Sequence, residues 1–454
     1  MVATIIYLLM ALIPYMGRIY VSEETKARFQ MAQFYGEGEI PERVMLVESP
    51  EDAFFHRMNL ISNAQEEIIF TTYNIHDGTT TDLMVGALLA SAERGVTIRI
   101  LNDGLTGRIS SRYLNVLAAH ENIDIYFFHP FEFFRPQYIN STLHDKYMIV
   151  DNTFMLLGGR NIGDKYFNPD GFQGVVSLDR EVLIYNTDLT FEGSIVQTQA
   201  YFEEKINSNH AVLQKPNSRR TGDRGMNQAA YIALYKTYRE SLEIIDFDYY
   251  KHTIGVNAIT LIYDPFDIAK KESVVAYNLY MLTQNSEVII MQSPYVVLTN
   301  RNFNFFAEAV QDRDVTLLTN SLASTPNLPA FSAYYISRRN LLTTGITIYE
   351  YQSATQSLHG KTYLFDGRLT AIGSFNINER SIRSDTETML IIDSETFHDI
   401  VLEAIHDQMS QSLRVGNDNQ YERNPDVEKI PVSVWRRILY IGFGYLMRPL
   451  RFLS

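Results

Sequence analysis

Two histidines in this chain each stand two residues before a lysine and seven before an aspartate, and the two settings lie 215 positions apart. The first reads His144-Asp145-Lys146-Tyr147-Met148-Ile149-Val150-Asp151 and the second His359-Gly360-Lys361-Thr362-Tyr363-Leu364-Phe365-Asp366. After six intervening residues, each is followed by a matched tetrapeptide, Gly158-Gly159-Arg160-Asn161 and Gly373-Ser374-Phe375-Asn376. These residue types suit a phosphodiester, whose oxygens need neutralising, whose phosphorus needs a nucleophile and whose departing alkoxide needs a proton. A neutral imidazole can attack phosphorus to give a covalent phosphohistidine, splitting one hard displacement into two easier ones. A second, protonated imidazole can serve as acid to the leaving alcohol and then as base to the incoming one. Lys146 and Lys361 would hold the equatorial oxygens, with Asn161, Asn376 and Ser374 completing the phosphate site. The scheme asks for no metal and no other cofactor.

One copy of His-x-Lys-x4-Asp is a weak match; two copies with the same glycine and asparagine echo leave little room for accident. The bland alternative is a duplicated fold whose activity has been lost. Asp151 and Asp366 complete the two motifs, but an aspartate at a turn commonly caps backbone, so structural support is expected of both ahead of direct chemistry.

Residues two apart on a strand share a face, so each histidine is expected on the same side as its lysine. The runs 143–150 and 358–365 are apolar, β-branched and aromatic, as a buried strand requires. Asp151-Asn152 and Asp366-Gly367 read as tight turns that send a second strand back and bring the glycines beside the histidine. The repeat reaches further upstream. Glu67-Ile68-Ile69-Phe70 echoes Glu287-Val288-Ile289-Ile290, and Val96-Thr97-Ile98 echoes Val315-Thr316-Leu317. Helical stretches are predicted between these strands at 82–94 and 304–312, the alternation of a sheet flanked by helices.

The phrases GGRNIGDKYF (158–167), LLTNSLAST (317–325) and GSFNINERS (373–381), with the doubled motif, carry a resemblance. The chain resembles the phospholipase D superfamily, and within it the bacterial phospholipase-D-like cardiolipin synthases, from about residue 48 to about residue 412. The resemblance implies an α/β fold of two pseudo-symmetric phospholipase-D-like α/β/α lobes with the active site in the cleft between them. It also implies metal-independent phosphatidyl transfer through a phosphohistidine, with phospholipids such as phosphatidylglycerol as substrates. His144 would be the nucleophile and His359 the acid, roles that the sequence itself leaves exchangeable. The resemblance further implies an acid downstream of each motif that orients the imidazole of the opposite half. The matching positions are Glu181 in Asp179-Arg180-Glu181 and Glu387 in Asp385-Thr386-Glu387, with buried salt bridging as the alternative role. Hydrolysis to phosphatidic acid, a nucleic-acid phosphodiesterase and an inactive membrane-binding scaffold stand as alternative functions.

A length of 454 residues allows two lobes plus extensions, and 46% hydrophobic residues can build a substantial core. The first lobe is expected at 40–206, a linker at 207–225 and the second lobe at 226–415. A net charge of −14 argues against broad nucleic-acid binding, which needs a basic footprint. The chain has no cysteine, and eight further histidines, among them His76, His129 and His252, lack metal-ligand spacing.

Both ends point to a membrane. Residues 1–20 are expected to be an apolar membrane or signal segment: the run 2–16 carries no charge, and fifteen helical residues span about 23 Å against a hydrocarbon core of about 30 Å. The tail, 426–454, interleaves Lys429, Arg436, Arg437, Arg448 and Arg451 with Trp435, Leu439, Phe443 and Leu446, the pattern of an interfacial segment drawn to anionic lipid. Packing back on the protein is the competing reading. The expected location is the cell membrane, on a side left open. A hydrophobic lip for acyl chains is expected at 125–134, just before the first motif.

Overall fold

The β-branched and aromatic runs around each motif form strands, and these assemble into two sheets built to one plan. The structure, a computed structural model, describes residues 2–12, 20–107, 109–168, 171–216, 227–241, 247–266 and 271–453. The first sheet runs in the order Ile254–Gly255, Glu42–Val47, Glu181–Asn186, Phe154–Gly158, Tyr147–Val150, Glu67–Thr72, Thr97–Asp103, Ile123–Phe128 and Ala211–Leu213. The second runs Ala258–Tyr263, Thr388–Asp393, Leu369–Gly373, Thr362–Phe365, Val288–Gln292, Asp314–Asn320, Thr347–Tyr351 and Ser412–Val415. Apart from the two-residue edge piece Ile254–Gly255, the orders coincide strand for strand. Each sheet has a parallel centre, Glu67–Thr72 beside Thr97–Asp103 and Val288–Gln292 beside Asp314–Asn320, next to an antiparallel motif hairpin. A parallel pair needs a crossover, and the helices Thr79–Glu93 and Asn300–Val310 supply it close to where the sequence predicts them.

The hairpins turn as their sequences require. Asp151 and Asn152 have φ of 53° and 51°, and Asp366 and Gly367 have 49° and 71°, so both central residues of each turn are left-handed, as the favoured hairpin turn demands. The Asp151 carboxylate accepts from the backbone N–H groups of Gln65 (2.8 Å), Glu66 (2.8 Å) and Glu67 (2.9 Å). Asp366 accepts from Glu287 (2.8 Å) and Val288 (2.9 Å). Both aspartates thus pin the motif hairpin to the neighbouring strand, at the end of the motif strand away from the histidine. This is the structural support expected of both aspartates, in place of the direct catalytic part that membership of the motif would suggest: they brace the strand that follows the lysine.

Side chains alternate between two cores. Ile68 and Phe70 point to the helical layer with Leu83 and Leu88, while Ile69, Tyr147, Ile149 and Val182 meet Leu318, Leu364, Ile372 and Leu390 of the other sheet. The two sheets therefore face each other across a shared apolar layer, with helices outside, and a one-residue slip in either would exchange the residues of the two cores.

The lobe boundary falls later than the sequence suggested. Residues 211–213 join the first sheet, and 217–226 lie outside the described residues. Helix Gln228–Ser241 packs on Thr79–Glu93 so closely that a Cβ at Gly86 would sit 2.2 Å from the Tyr231 carbonyl. Since Ile254–Gly255 also joins the first sheet, the second lobe's own sheet begins at Ala258. Residues 20–36 instead cross to the second lobe: Ser273 N–H donates to the Tyr20 carbonyl at 2.9 Å, and Phe34 is fully buried in the second-lobe core.

At the N-terminus a helix covers Val2–Leu12, and residues 13–19 lie outside the described residues. Among the described residues no helix is long and apolar enough to cross a membrane.

Candidate active site

Each motif histidine stands at the mouth of its strand, where the chain is stitched to the opposite lobe. Leu143 pairs with Thr386 in an isolated parallel bridge, and Gln356–Leu358 pairs in parallel with Val176–Leu178. The Thr386 N–H donates to the Thr142 carbonyl (3.0 Å), and the His359 N–H donates to the Leu178 carbonyl (2.6 Å). The two junctions are reciprocal. Each delivers a histidine from one lobe next to an acid from the other.

At the first junction His144 Nδ1 lies 3.0 and 3.1 Å from the two oxygens of Glu387. At the second, His359 Nδ1 contacts Asp179. Glu181 does neither: its carboxylate accepts from Arg57 Nη1 (2.7 Å) and Nη2 and from Arg160 Nε (3.2 Å), in a wholly buried brace. Strand register explains the correction. Glu181 pairs with Gly158, whereas the residue paired with the equivalent Gly373 is Met389. Glu181 is therefore the counterpart of Met389, and Asp179 of Glu387. Residues two apart favour the same face of a strand, so both acids of Asp179-Arg180-Glu181 fit the sequence pattern and only the register separates them.

The motif strands begin only at Tyr147 and Thr362, later than the sequence suggested, so the histidines and lysines precede them and each lysine reaches its histidine by bending back rather than by sharing a strand face. Lys146 Nζ donates to the His144 carbonyl and Lys361 Nζ to that of His359, with Lys361 Nζ 3.0 Å from His359 Nδ1. Gly159 makes room for this, since a Cβ there would lie 3.1 Å from Lys361 Nζ and 2.5 Å from Asp179 Oδ1. In the second lobe Ser374 occupies the equivalent position. Its hydroxyl donates to Glu387 and accepts the Thr388 N–H (3.0 Å), so Ser374 steadies the acid and is not free for phosphate. Asn161 is also engaged, donating to the Tyr166 hydroxyl (3.1 Å) and accepting from the Asn74 N–H (3.3 Å). Asn376 keeps a buried Oδ1 with no partner among the described residues.

Sequence reasoning missed Asp179 and three tyrosines. The Tyr73 ring centroid is 5.6 Å from that of His144; Tyr166 and Tyr295 lie 5.6 and 6.2 Å from His359. Tyr73 and Tyr295 both follow the central parallel strand of their lobe, a signal present in the repeat but too degenerate to single out. Arg180 spans the lobes, donating to Glu48 (2.6 and 2.8 Å), Gln292 (2.5 Å) and Thr362 (3.2 Å).

Burial, reinforced by Lys146, keeps His144 well below the ordinary histidine value, and burial with Lys361 brings His359 down to about 3. Burial also lowers Lys146 to about 7 and Lys361 to about 8. The two acids diverge. Burial pushes Glu387 up to about 8. For Asp179 burial acts in the same sense, but Lys361 and His359 overcome it and hold the carboxyl at about 2. Asp179 is an ionised partner for its histidine, while burial favours the neutral form of Glu387.

Two histidine-lysine motifs from the halves of a duplicated α/β fold, converging across one cleft, define a phospholipase-D-like protein. The chain belongs to the family described as cardiolipin synthase, phospholipase-D-like domain, whose model matches residues 58–203 and 279–409, more than half of the chain. It is 28% identical to cardiolipin synthase C of Escherichia coli K12, with 87% of this chain and 92% of that one covered. It is 29% identical to an uncharacterized protein of Helicobacter pylori 26695, covering 81% and 79%. The crystal structure of phosphatidylserine synthase from Haemophilus influenzae Rd KW20 superposes with a TM-score of 0.62 over 98% of this chain and 99% of that one, at 12% identity, a likeness of fold.

The 125–134 stretch divides. Phe128 is buried at the end of strand Ile123–Phe128, whereas Phe131, Phe133 and Phe134 are 60%, 61% and 92% exposed, and Phe133 stacks on Tyr7 of the N-terminal helix.

Proposed function

We propose that the protein is a membrane-associated phosphatidyltransferase of the cardiolipin synthase type, passing a phosphatidyl group from one phospholipid to an alcohol of another. The observation that carries this reading is the reciprocal pairing of His144 with Glu387 and His359 with Asp179. Each acid holds Nδ1, so Nε2 is the nitrogen each ring offers to the substrate, with Lys361 Nζ 3.5 Å from that of His359. His144 Nε2 attacks phosphorus, the bond to the headgroup oxygen breaks, and that oxygen takes the proton from His359. The acceptor alcohol then gives its proton to His359 and attacks the phosphohistidine, restoring His144. Lys146 and Lys361 offset the charge on the phosphoryl oxygens.

The unequal acids support this division of roles. An ionised Asp179 stabilises an imidazolium at His359, the state an acid catalyst must reach once an anionic substrate is bound. Glu387, held up by burial, leaves His144 neutral and nucleophilic. An overall charge of −14 disfavours a polyanionic nucleic acid as substrate.

The test is to incubate the purified protein in chelator with phosphatidylglycerol alone, and then with phosphatidylethanolamine added, and to identify products by mass spectrometry. Cardiolipin and a released headgroup alcohol, both lost in His144→Ala and His359→Ala, are expected. Phosphatidic acid as the sole product would make the protein a hydrolase, and turnover in either histidine variant would overturn the two-histidine scheme.

A further inference from the structure

The C-terminal helix Val434–Leu446 is amphipathic with its polarity reversed. Tyr440 and Gly444 are buried against helix Leu328–Leu342, with Gly444 so close that a Cβ would lie 2.7 Å from the Ser332 carbonyl. Arg436, at one flank of this stripe, donates to the Thr325 carbonyl at 2.7 Å. The outward face carries Val434 (70% exposed), Trp435 (80%), Ile438 (54%), Leu439 (57%), Tyr445 (63%) and Leu446 (74%). At 100° per residue these six fall within an arc of about 140°. A water-facing helix would carry charge there.

Arg437 lies on the other flank, at the edge of the apolar arc, and it lines a cavity of about 380 Å³ beneath the helix. Lys429 lines the same cavity with its ammonium 5.2 Å from the centre of the Tyr421 ring. Arg338, on the floor, is matched by Glu350 at 2.7 Å and by Asn419. Neither Arg437 nor Lys429 has an ion pair among the described residues, and no acidic residue lines the cavity. On a chain of net charge −14 this is a concentrated positive pocket.

We propose that this cavity is a second lipid site, apart from the two histidines, that takes the phosphate of an anionic phospholipid while the outward face of the helix lies among the acyl chains. Charge complementarity commits it to an anionic headgroup, and the adjoining apolar arc commits it to a headgroup still attached to its lipid. It rests on the reading that the protein works at a bilayer surface, but not on the transfer chemistry.

Trp435 is the only tryptophan of the chain, so its emission reports insertion of this helix directly. Full-length protein would be titrated with vesicles of phosphatidylcholine alone and of phosphatidylcholine mixed equally with phosphatidylglycerol. Three proteins are compared: the parent, the double variant Lys429→Gln/Arg437→Gln, and Arg448→Gln, which removes a tail charge outside the cavity. The expected result is a blue shift with the anionic vesicles, weakened about 30-fold in the double variant and less than fivefold in Arg448→Gln. A loss in Arg448→Gln equal to half that of the double variant on a logarithmic scale would reduce the effect to diffuse attraction and overturn the site. So would a parent protein that binds inorganic phosphate at the cavity, by protection of Lys429 from acylation, but no anionic vesicle. Turnover of detergent-dispersed lipid, measured in parallel, separates a failure of this site from a failure of the proposed reaction: the double variant retains it.

Discussion

Asp179→Asn is the substitution that most directly tests the site. The carboxylate is wholly buried, contacts His359 Nδ1 and helps to sustain the charge of Lys361. Asparagine keeps the shape and removes the charge. A hydrogen bond to a charged group is worth about 1.5–3 kcal/mol, so if that interaction is made fully only when His359 is protonated, kcat falls about 10- to 160-fold. The sign of the accompanying pH change follows from the same interaction. Asp179 favours the imidazolium, so its loss lowers the His359 pKa and moves the limb that needs protonated His359 to lower pH. The assay is product formation per folded enzyme across pH, beside Glu181→Gln as comparison. That variant strips Arg57 and Arg160 of their shared partner, and leaving buried cations unpaired costs about 3–5 kcal/mol of stability, yet it should keep kcat per folded molecule near the parent value. An Asp179→Asn enzyme within threefold of the parent, or a folded Glu181→Gln enzyme that is inactive, would refute the assignment.

Replacing Asp151 by Ala removes the acceptor of three backbone N–H groups at a φ of 53° and should cost about 2–3 kcal/mol in urea unfolding, with kcat per folded molecule unchanged. Because burial brings Lys146 to about 7 and Lys361 to about 8, kcat/KM for an anionic lipid should fall as pH rises through those values, and Lys146→Arg should abolish the lower of the two ionisations. Gly444→Leu places side-chain atoms against the Ser332 backbone; it should destabilise the tail by about 1–3 kcal/mol and shift the emission of Trp435, while activity on detergent-dispersed lipid persists.

The tail illustrates where sequence reading reaches its end. Basic residues among aromatic ones announced an interfacial segment, and packing back on the protein was the competing reading; the helix does both, one narrow stripe docking and the broad face remaining out. Composition could not decide this, because Tyr440 and Gly444 meet residues about a hundred positions upstream on helix Leu328–Leu342. The linker met the same difficulty. Polar residues mark 207–225 well enough, but the helix after it returns to the first lobe, through a backbone approach at Gly86 that local composition does not encode.

The duplicated motif, the hairpin that follows each copy and its left-handed turn were determined by the sequence alone. They depend on side-chain period and turn chemistry within a few residues. Which acid serves which histidine was decided only by the tertiary structure. Asp179 and His359 stand 180 residues apart, and Glu387 reaches His144 from the other lobe. Their meeting rests on an isolated cross-lobe bridge and a short cross-lobe ladder, and the register of the ladder chooses Asp179 over Glu181, a choice between residues that local rules treat as equivalent.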